Sequence, residues 1–299
     1  MQVKRFDSSE KTVSKYIFEF QRTGVAEAVL YSYPDFKTRT VVCCSTQSGC
    51  PIGCLFCGTG SNFVRSLTAE EIVAQPIYLF QDRNINPSEV QYLQIMFMSM
   101  GEPLLNFKHV SRAIRKLNEL YPNAFLLIST SAPRVDFKPL CDLSRVISKI
   151  GLQFSIHEST DEARNKLVPF KKKLSLQEIA IKGNQWHEVT GRMPFFNYCV
   201  HSDNISEDDA DRLHRLFDPA IWKATLSVIC KKDESMMVVM EYQVAMATCF
   251  QDKLVKHGFN TRVFNPAGQD DIGGGCGQLW YTQEWMTNHP KNTRHIAHN

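Results

Sequence analysis

Hydrophobic positions along this chain alternate between short β-branched runs and longer stretches with helical spacing, the pattern of repeated βα units. The short runs predict strands at 41–45, 92–98, 124–130, 151–156, 194–201 and 224–229, with a shorter one at 260–265. Between them, helices are expected at 68–81, 108–121, 175–190, 206–217 and 237–257. Thr68 with Glu71, and Ser206 with Asp209, are placed to cap two of these helices, and Pro76 is expected to kink the first. About six parallel βα repeats close most of a barrel, so the fold class expected is α/β, a partial (β/α)6 TIM-like barrel. In such folds chemistry gathers after the C-terminal ends of strands, which gives weight to motifs found there.

Composition narrows the class. The 299 residues are 43% apolar and 22% charged, ordinary for a globular protein, and no apolar run suggests a secretory leader or a membrane span. No membrane partner and a cytoplasmic location are therefore expected. Ten cysteines, three of them within eight residues, point to metal or redox chemistry in a reducing compartment rather than to a disulfide framework. A net charge of +3 permits contact with nucleic acid without announcing it.

The crowded cysteines are Cys50, Cys54 and Cys57, directly after the first strand of the predicted barrel. Three- and two-residue gaps let one loop wrap three thiolates around a corner of a [4Fe-4S] cluster, leaving the fourth iron without a protein ligand. An open iron suits the reductive cleavage of S-adenosylmethionine, whose amino-acid end can chelate it. A structural zinc site is the alternative, but zinc prefers four protein ligands and paired two-residue gaps, and no second such pair is present.

Three further motifs fall after strands. Gly101 and Glu102, in Met-Gly-Glu-Pro-Leu-Leu-Asn, combine a close backbone approach with an acceptor for an amino group or hydroxyls. Ser129 in Ser-Thr-Ser, and Ser155, Ile156 and His157 in Ser-Ile-His, bring hydroxyls and an imidazole to the same rim. Far downstream, Cys276 sits in a glycine-dense loop, Asp-Asp-Ile-Gly-Gly-Gly-Cys-Gly-Gln-Leu, able to carry a thiol into a site. Arg65, Lys171 to Lys173, Lys231, Lys232 and Arg262 are expected near that rim, where they could meet phosphates.

Taken in order, Cys-x3-Cys-x2-Cys, Met-Gly-Glu-Pro-Leu-Leu-Asn, Ser-Thr-Ser, Ser-Ile-His and Asp-Asp-Ile-x3-Cys-Gly-Gln-Leu resemble the RlmN/Cfr family of radical S-adenosylmethionine RNA adenine methyltransferases, over roughly residues 27–279. The resemblance implies a [4Fe-4S] cluster on Cys50, Cys54 and Cys57, and S-adenosylmethionine held by Gly101, Glu102, Ser129, Ser155, Ile156 and His157. It implies that Cys276 is methylated and passes the methyl carbon, as a radical, to C2 or C8 of an adenine in ribosomal or transfer RNA. These carbons lack nucleophilic character, so polar methyl transfer fails. By the same resemblance, Cys43, with Cys44 beside it as the alternative, releases the product by forming a disulfide, and Glu27 is the base that takes the substrate proton. An electron donor such as flavodoxin or ferredoxin is the further partner implied.

Two departures stand beside the matches. A helical accessory domain usual in the family is replaced by a short predicted helix at 10–20, which makes a smaller nucleotide or another non-RNA target the alternative substrate. An asparagine expected after the strand at 224–229 is replaced by Cys230, Lys231 and Lys232. The expected organisation is an N-terminal extension over 1–35, the radical core barrel over 36–265, and a C-terminal segment over 266–299 carrying Cys276.

Overall fold

The computed structural model describes residues 1–21, 23–60, 62–228, 236–264, 272, 288 and 294–295. It opens with an antiparallel ladder of β1 (Gln2–Asp7), β2 (Val13–Glu19) and β3 (Val25–Ser32). Strand β4 (Arg39–Cys44) pairs antiparallel with β3. A hairpin of β5 (Gln47–Gly49) and β6 (Asn62–Ser66) precedes helix α1 (Ala69–Asp82), which leads to β7 (Tyr92–Phe97). Helix α2 (Phe107–Leu120) leads to β8 (Phe125–Thr130), and α3 (Lys138–Val146) to β9 (Ile150–Ser155). Helices α4 (Asp161–Leu167) and α5 (Leu176–Thr190) precede β10 (Phe195–Cys199). Then follow α6 (Glu207–Leu216), β11 (Lys223–Ser227), α7 (Met236–Lys256) and β12 (Asn260–Phe264), while β13 (Arg294–His295) pairs with β6.

The main sheet runs β1-β2-β3-β4-β7-β8-β9-β10-β11-β12, and β4 with β7 to β12 are all parallel. Every connection within that run passes through a helix, as parallel pairing requires. The result is an α/β partial barrel, the architecture expected from the alternating pattern. Thr68, Ser175 and Ser206 each form a capping box, with Glu71, Glu178 and Asp209 answering the N-cap amide. Helix α1 continues through Pro76, whose missing N–H forfeits one helical bond without ending the helix.

The expected helix at 10–20 is not formed. Residues 13–19 are strand β2, and all but Glu19 are buried. Tyr16 and Phe18 face the main apolar layer, whereas Val13 joins a smaller cluster with Val29, Tyr31 and Val41. With both faces covered, the strand lacks the apolar-polar alternation that marks a one-sided strand, and pairing with β1 and β3 decides its conformation.

One packing contact in the outer layer leaves no room for a side chain. Gly183 in α5 lies against Trp222, which is fully buried and donates from Nε1 to Asn184 Oδ1 at 2.8 Å. A Cβ at Gly183 would fall 2.0 Å from the indole ring. Gly183→Ala is expected to destabilise the protein by about 1–3 kcal/mol through overpacking, read as a lowered urea midpoint with unchanged m-value.

Candidate functional site

The cysteine loop sits after β4, between the two strands of the β5–β6 hairpin. Cys50 N–H donates to Asn62 O at 2.7 Å, Cys57 N–H to Cys54 O at 3.1 Å, and Gly60 N–H to Cys57 O at 2.9 Å. Leu55 N–H donates to Leu167 O at 3.0 Å, anchoring the loop to the end of α4. Gly53 at φ +71 supplies a left-handed residue between the first two cysteines. All three thiols are half-buried.

Their electrostatics suit a cation. Burial pushes the Cys54 thiol well above its ordinary range, and the neighbouring charges of Cys57 and Cys50 push it further. Cys50 is shifted in the same direction by burial and then by Cys57. Thiols that resist ionisation together become good ligands once a metal supplies positive charge, because binding and deprotonation are linked. Among the described residues no three His, Cys, Asp or Glu side chains already converge on one metal-sized point, so the thiols share a loop and a field rather than a closed centre. The donor set is soft, three-fold and mutually coupled, which fits an iron–sulfur cluster with one open iron.

The motif after β7 is built around a buried carboxylate. Glu102 Oε1 accepts from Thr130 Oγ1 at 2.6 Å and Leu104 N–H at 3.0 Å, and Oε2 accepts from the N–H and Oγ of Ser131, both at 2.7 Å. Burial raises its pKa, and these four bonds oppose the shift. Its own N–H donates to Gln47 Oε1 at 2.9 Å. Gly101 has φ +97, and a Cβ there would lie 2.6 Å from Gln47 Cβ. Asn106 Nδ2 bridges Thr46 O at 2.7 Å and Leu67 O at 2.9 Å, tying this motif to both flanks of the cysteine loop.

The two remaining rim motifs lie side by side. Ser129 and Ser155 hydroxyls are 3.5 Å apart, and Gln153 Nε2 donates to Ser129 Oγ at 3.1 Å. Ile156 is fully buried in the main apolar layer, and its N–H donates to Asn197 O at 3.0 Å. His157 is buried with φ +63, a conformation that costs a non-glycine residue and collects at functional sites. Its ring meets Phe56 of the cysteine loop edge-on at 4.9 Å between centroids. Burial, then the charge of Arg164, pushes His157 down to about 3, so the ring is neutral. Its Nδ1 is buried and has no hydrogen-bond partner among the described residues, the orphaned atom expected where a ligand belongs.

Glu27 and Cys43 occupy the barrel's inner face. Glu27, on β3, is fully buried rather than a surface-strand carboxylate, and Lys15 Nζ of β2 lies 2.7 Å from its Oε2. Two residues along β3, on the same face, Val29 is paired with Cys43. Cys43 packs on the inner cluster of Val13, Val29, Tyr31 and Val41, as does Met96. Cys44 points the other way, fully buried in the outer layer, where burial holds its thiol well above its ordinary range. Ile272 packs on the same inner cluster as Cys43. Cys276, together with Cys230, Lys231 and Lys232, lies outside the described residues.

Sequence reading missed Lys15, Gln47 and Arg164. Arg164 of α4 is fully buried, and its guanidinium donates to Leu174 O at 2.8 Å, Ser131 O at 2.8 Å and Ser155 O at 3.4 Å, joining both serine motifs. Burial brings it down to about 10. Nothing local marks an arginine in a short polar helix as buried. The expectation that Arg262 lies at the catalytic rim is overturned, because its guanidinium reaches back over Phe195, the first residue of β10, at the opposite end of the barrel. Arg65 is half-buried and paired with Glu71 at 2.7 Å, and Lys173 Nζ donates to Asn165 Oδ1 at 2.6 Å.

No family model matches the chain. A probable dual-specificity RNA methyltransferase RlmN of Fervidobacterium nodosum is 30% identical over 292 residues, 96% of this chain and 80% of that protein. The protein of the same description from Petrotoga mobilis is 30% identical over 283 residues, covering 93% and 77%. Among solved structures, a radical SAM methyltransferase from Sphaerobacter thermophilus is similar at TM-score 0.77 and 27% identity, covering 92% of this chain and 79% of that one. SuiB of Streptococcus suis shares the fold at TM-score 0.53 and 14% identity, over 77% and 50%. Barrel, cysteine loop and these likenesses together define a radical S-adenosylmethionine enzyme. Within that class the chain belongs to the RlmN family of methyltransferases.

The four bonds to Glu102 yield a direct test. Glu102→Gln sets an amide nitrogen against Thr130 and Leu104 or against both Ser131 donors. It is expected to cost about 1–3 kcal/mol of stability, measured as a fall in the urea midpoint.

Proposed function

We propose that this enzyme methylates C2 or C8 of an adenine in ribosomal or transfer RNA through a methylated Cys276. The observation that carries the proposal is the common inner face. Glu27 and Cys43 lie on it, and Ile272, four residues before Cys276, packs on the same cluster as Cys43. Residues distant in sequence thus share one face, which supports a reading in which a base and a second thiol work together there.

Cys50, Cys54 and Cys57 would hold the cluster, and Gly101, Glu102, Ser129, Ser155, Ile156 and His157 the S-adenosylmethionine. When bound, the cluster supplies the electron that splits S-adenosylmethionine into methionine and a 5′-deoxyadenosyl radical. Cys276 carries the methyl group; loss of one hydrogen atom from it to the 5′-deoxyadenosyl radical leaves a carbon radical that adds to the adenine carbon, and the surplus electron would leave through the cluster. Glu27 takes the proton from the substituted carbon, Lys15 holding its carboxylate at 2.7 Å. Cys43 frees the product by attacking the Cys276 sulfur, so that the disulfide forms as the bond from that sulfur to carbon breaks and the carbon takes up a proton to become the new methyl group. Cys43 suits this role better than Cys44, which faces the outer layer. A flavodoxin or ferredoxin would supply electrons, and the thiol chemistry suits a reducing cytoplasm. No described helix is long and apolar enough to cross a membrane.

The test is anaerobic reconstitution, incubation with S-adenosylmethionine and mass spectrometry of the peptide containing Cys276. One added methyl group is expected in the wild type and none in Cys276→Ala. An unmodified Cys276 in protein that cleaves S-adenosylmethionine would rule out the methyl-cysteine route. Cys43→Ala is expected to accumulate protein covalently linked to RNA, seen as a nuclease-sensitive shift on a denaturing gel.

A further inference from the structure

The N-terminal mouth of the barrel, opposite the catalytic rim, carries an array that the methyl transfer does not use. Tyr92 and Phe125, the first residues of β7 and β8, stack with centroids 5.1 Å apart and planes 21° apart, and stand 38% and 42% exposed. Arg39, the first residue of β4, lies 5.2 Å from the rings of both Tyr33 and Tyr92. Lys149 Nζ lies 5.7 Å from the Phe125 ring. Phe195 is flanked by Lys223 at 5.8 Å and Arg262 at 5.5 Å.

Among the described residues, the ion pairs found elsewhere in the fold include none of these four cations. Burial, and then the like charge of Arg39, lowers the pKa of Arg262. Arg39 Nε and Tyr33 Oη are buried atoms with no hydrogen-bond partner among the described residues. Arg262 Nε donates to Thr225 Oγ1 at 3.2 Å, a neutral hydroxyl, and neither guanidinium has a carboxylate partner among the described residues, which together with the orphaned Arg39 donor leaves an unmet demand for negative charge. Exposed stacked rings beside them offer a platform for flat, π-faced groups.

We infer that this mouth is a second RNA-binding surface, with bases of a single-stranded segment stacking on Tyr92 and Phe125 and phosphates lying against Arg39, Arg262, Lys149 and Lys223. The inference rests on the reading that the substrate is RNA. Alternating rings and cations match the alternating bases and phosphates of a single strand, whereas an acidic peptide would satisfy the cations and leave the rings uncovered. The strands between the two ends span about 20 Å, so the segment bound here is a flank of the target and not the target base itself.

The experiment is fluorescence anisotropy with a short labelled single-stranded RNA of mixed sequence, over a series of salt concentrations, using the full chain. Tyr92→Ser with Phe125→Ser is expected to weaken binding on the order of tenfold per ring. Lys149→Gln with Lys223→Gln, both half-buried, is expected to flatten the log-log salt slope by about one per cation. Should the ring variant unfold, the lysine variant decides alone. If the wild type binds RNA and both variants bind it with the same affinity and salt slope, this surface is excluded while the RNA reading stands. If the wild type neither binds nor methylates RNA, the RNA reading fails and this inference fails with it. Preference for a polyglutamate peptide over RNA would overturn the choice of occupant.

Discussion

A carboxylate removed from water must find its hydrogen bonds inside the protein, and the candidate site beside the cysteine loop is organised around the one at Glu102. Its oxygens draw in the end of β8 through Thr130 and Ser131 and close its own turn through Leu104. Its amide reaches Gln47 on the far side, next to the cysteine loop. Arg164 does the complementary work from below, spending its donors on carbonyls at the ends of the Ser-Thr-Ser and Ser-Ile-His motifs. An acidic and a basic group, both buried, thus hold four segments in register beside three thiols. A ligand entering there meets a preorganised wall rather than mobile loops.

Strand alternation does the rest. Successive residues of β4 face opposite sides, so Cys43 looks into the barrel and Cys44 into the helical layer. On β3 the same rule puts Glu27 on the inner face two residues from Val29. A fully buried glutamate needs a partner, and Lys15 supplies it from β2, a strand outside the parallel run. The antiparallel N-terminal ladder therefore holds the proposed base in place as well as extending the sheet.

The parallel run was legible because its strands are short apolar segments punctuated by helices of good amphipathic form, and three of its motifs fall at strand ends. The short helices α3 and α4 carried too few turns to show periodicity. Strand β2 was misread as helix because burial on both faces erased its period-two signal. Lys15 and Arg164 were invisible for a related reason: a buried charge is identified by its partner, and both partners come from other parts of the chain. Arg262 misled because its strand ends at the rim while its long side chain runs back to the other mouth.

The proposed chemistry depends on what Cys50, Cys54 and Cys57 hold. Anaerobic reconstitution followed by iron and sulfide analysis and low-temperature EPR addresses this directly. The expected result is a [4Fe-4S] cluster whose reduced signal changes on adding S-adenosylmethionine, and whose iron is lost in Cys54→Ala. Stoichiometric zinc with no iron signal, or an iron content unchanged by that substitution, would contradict it.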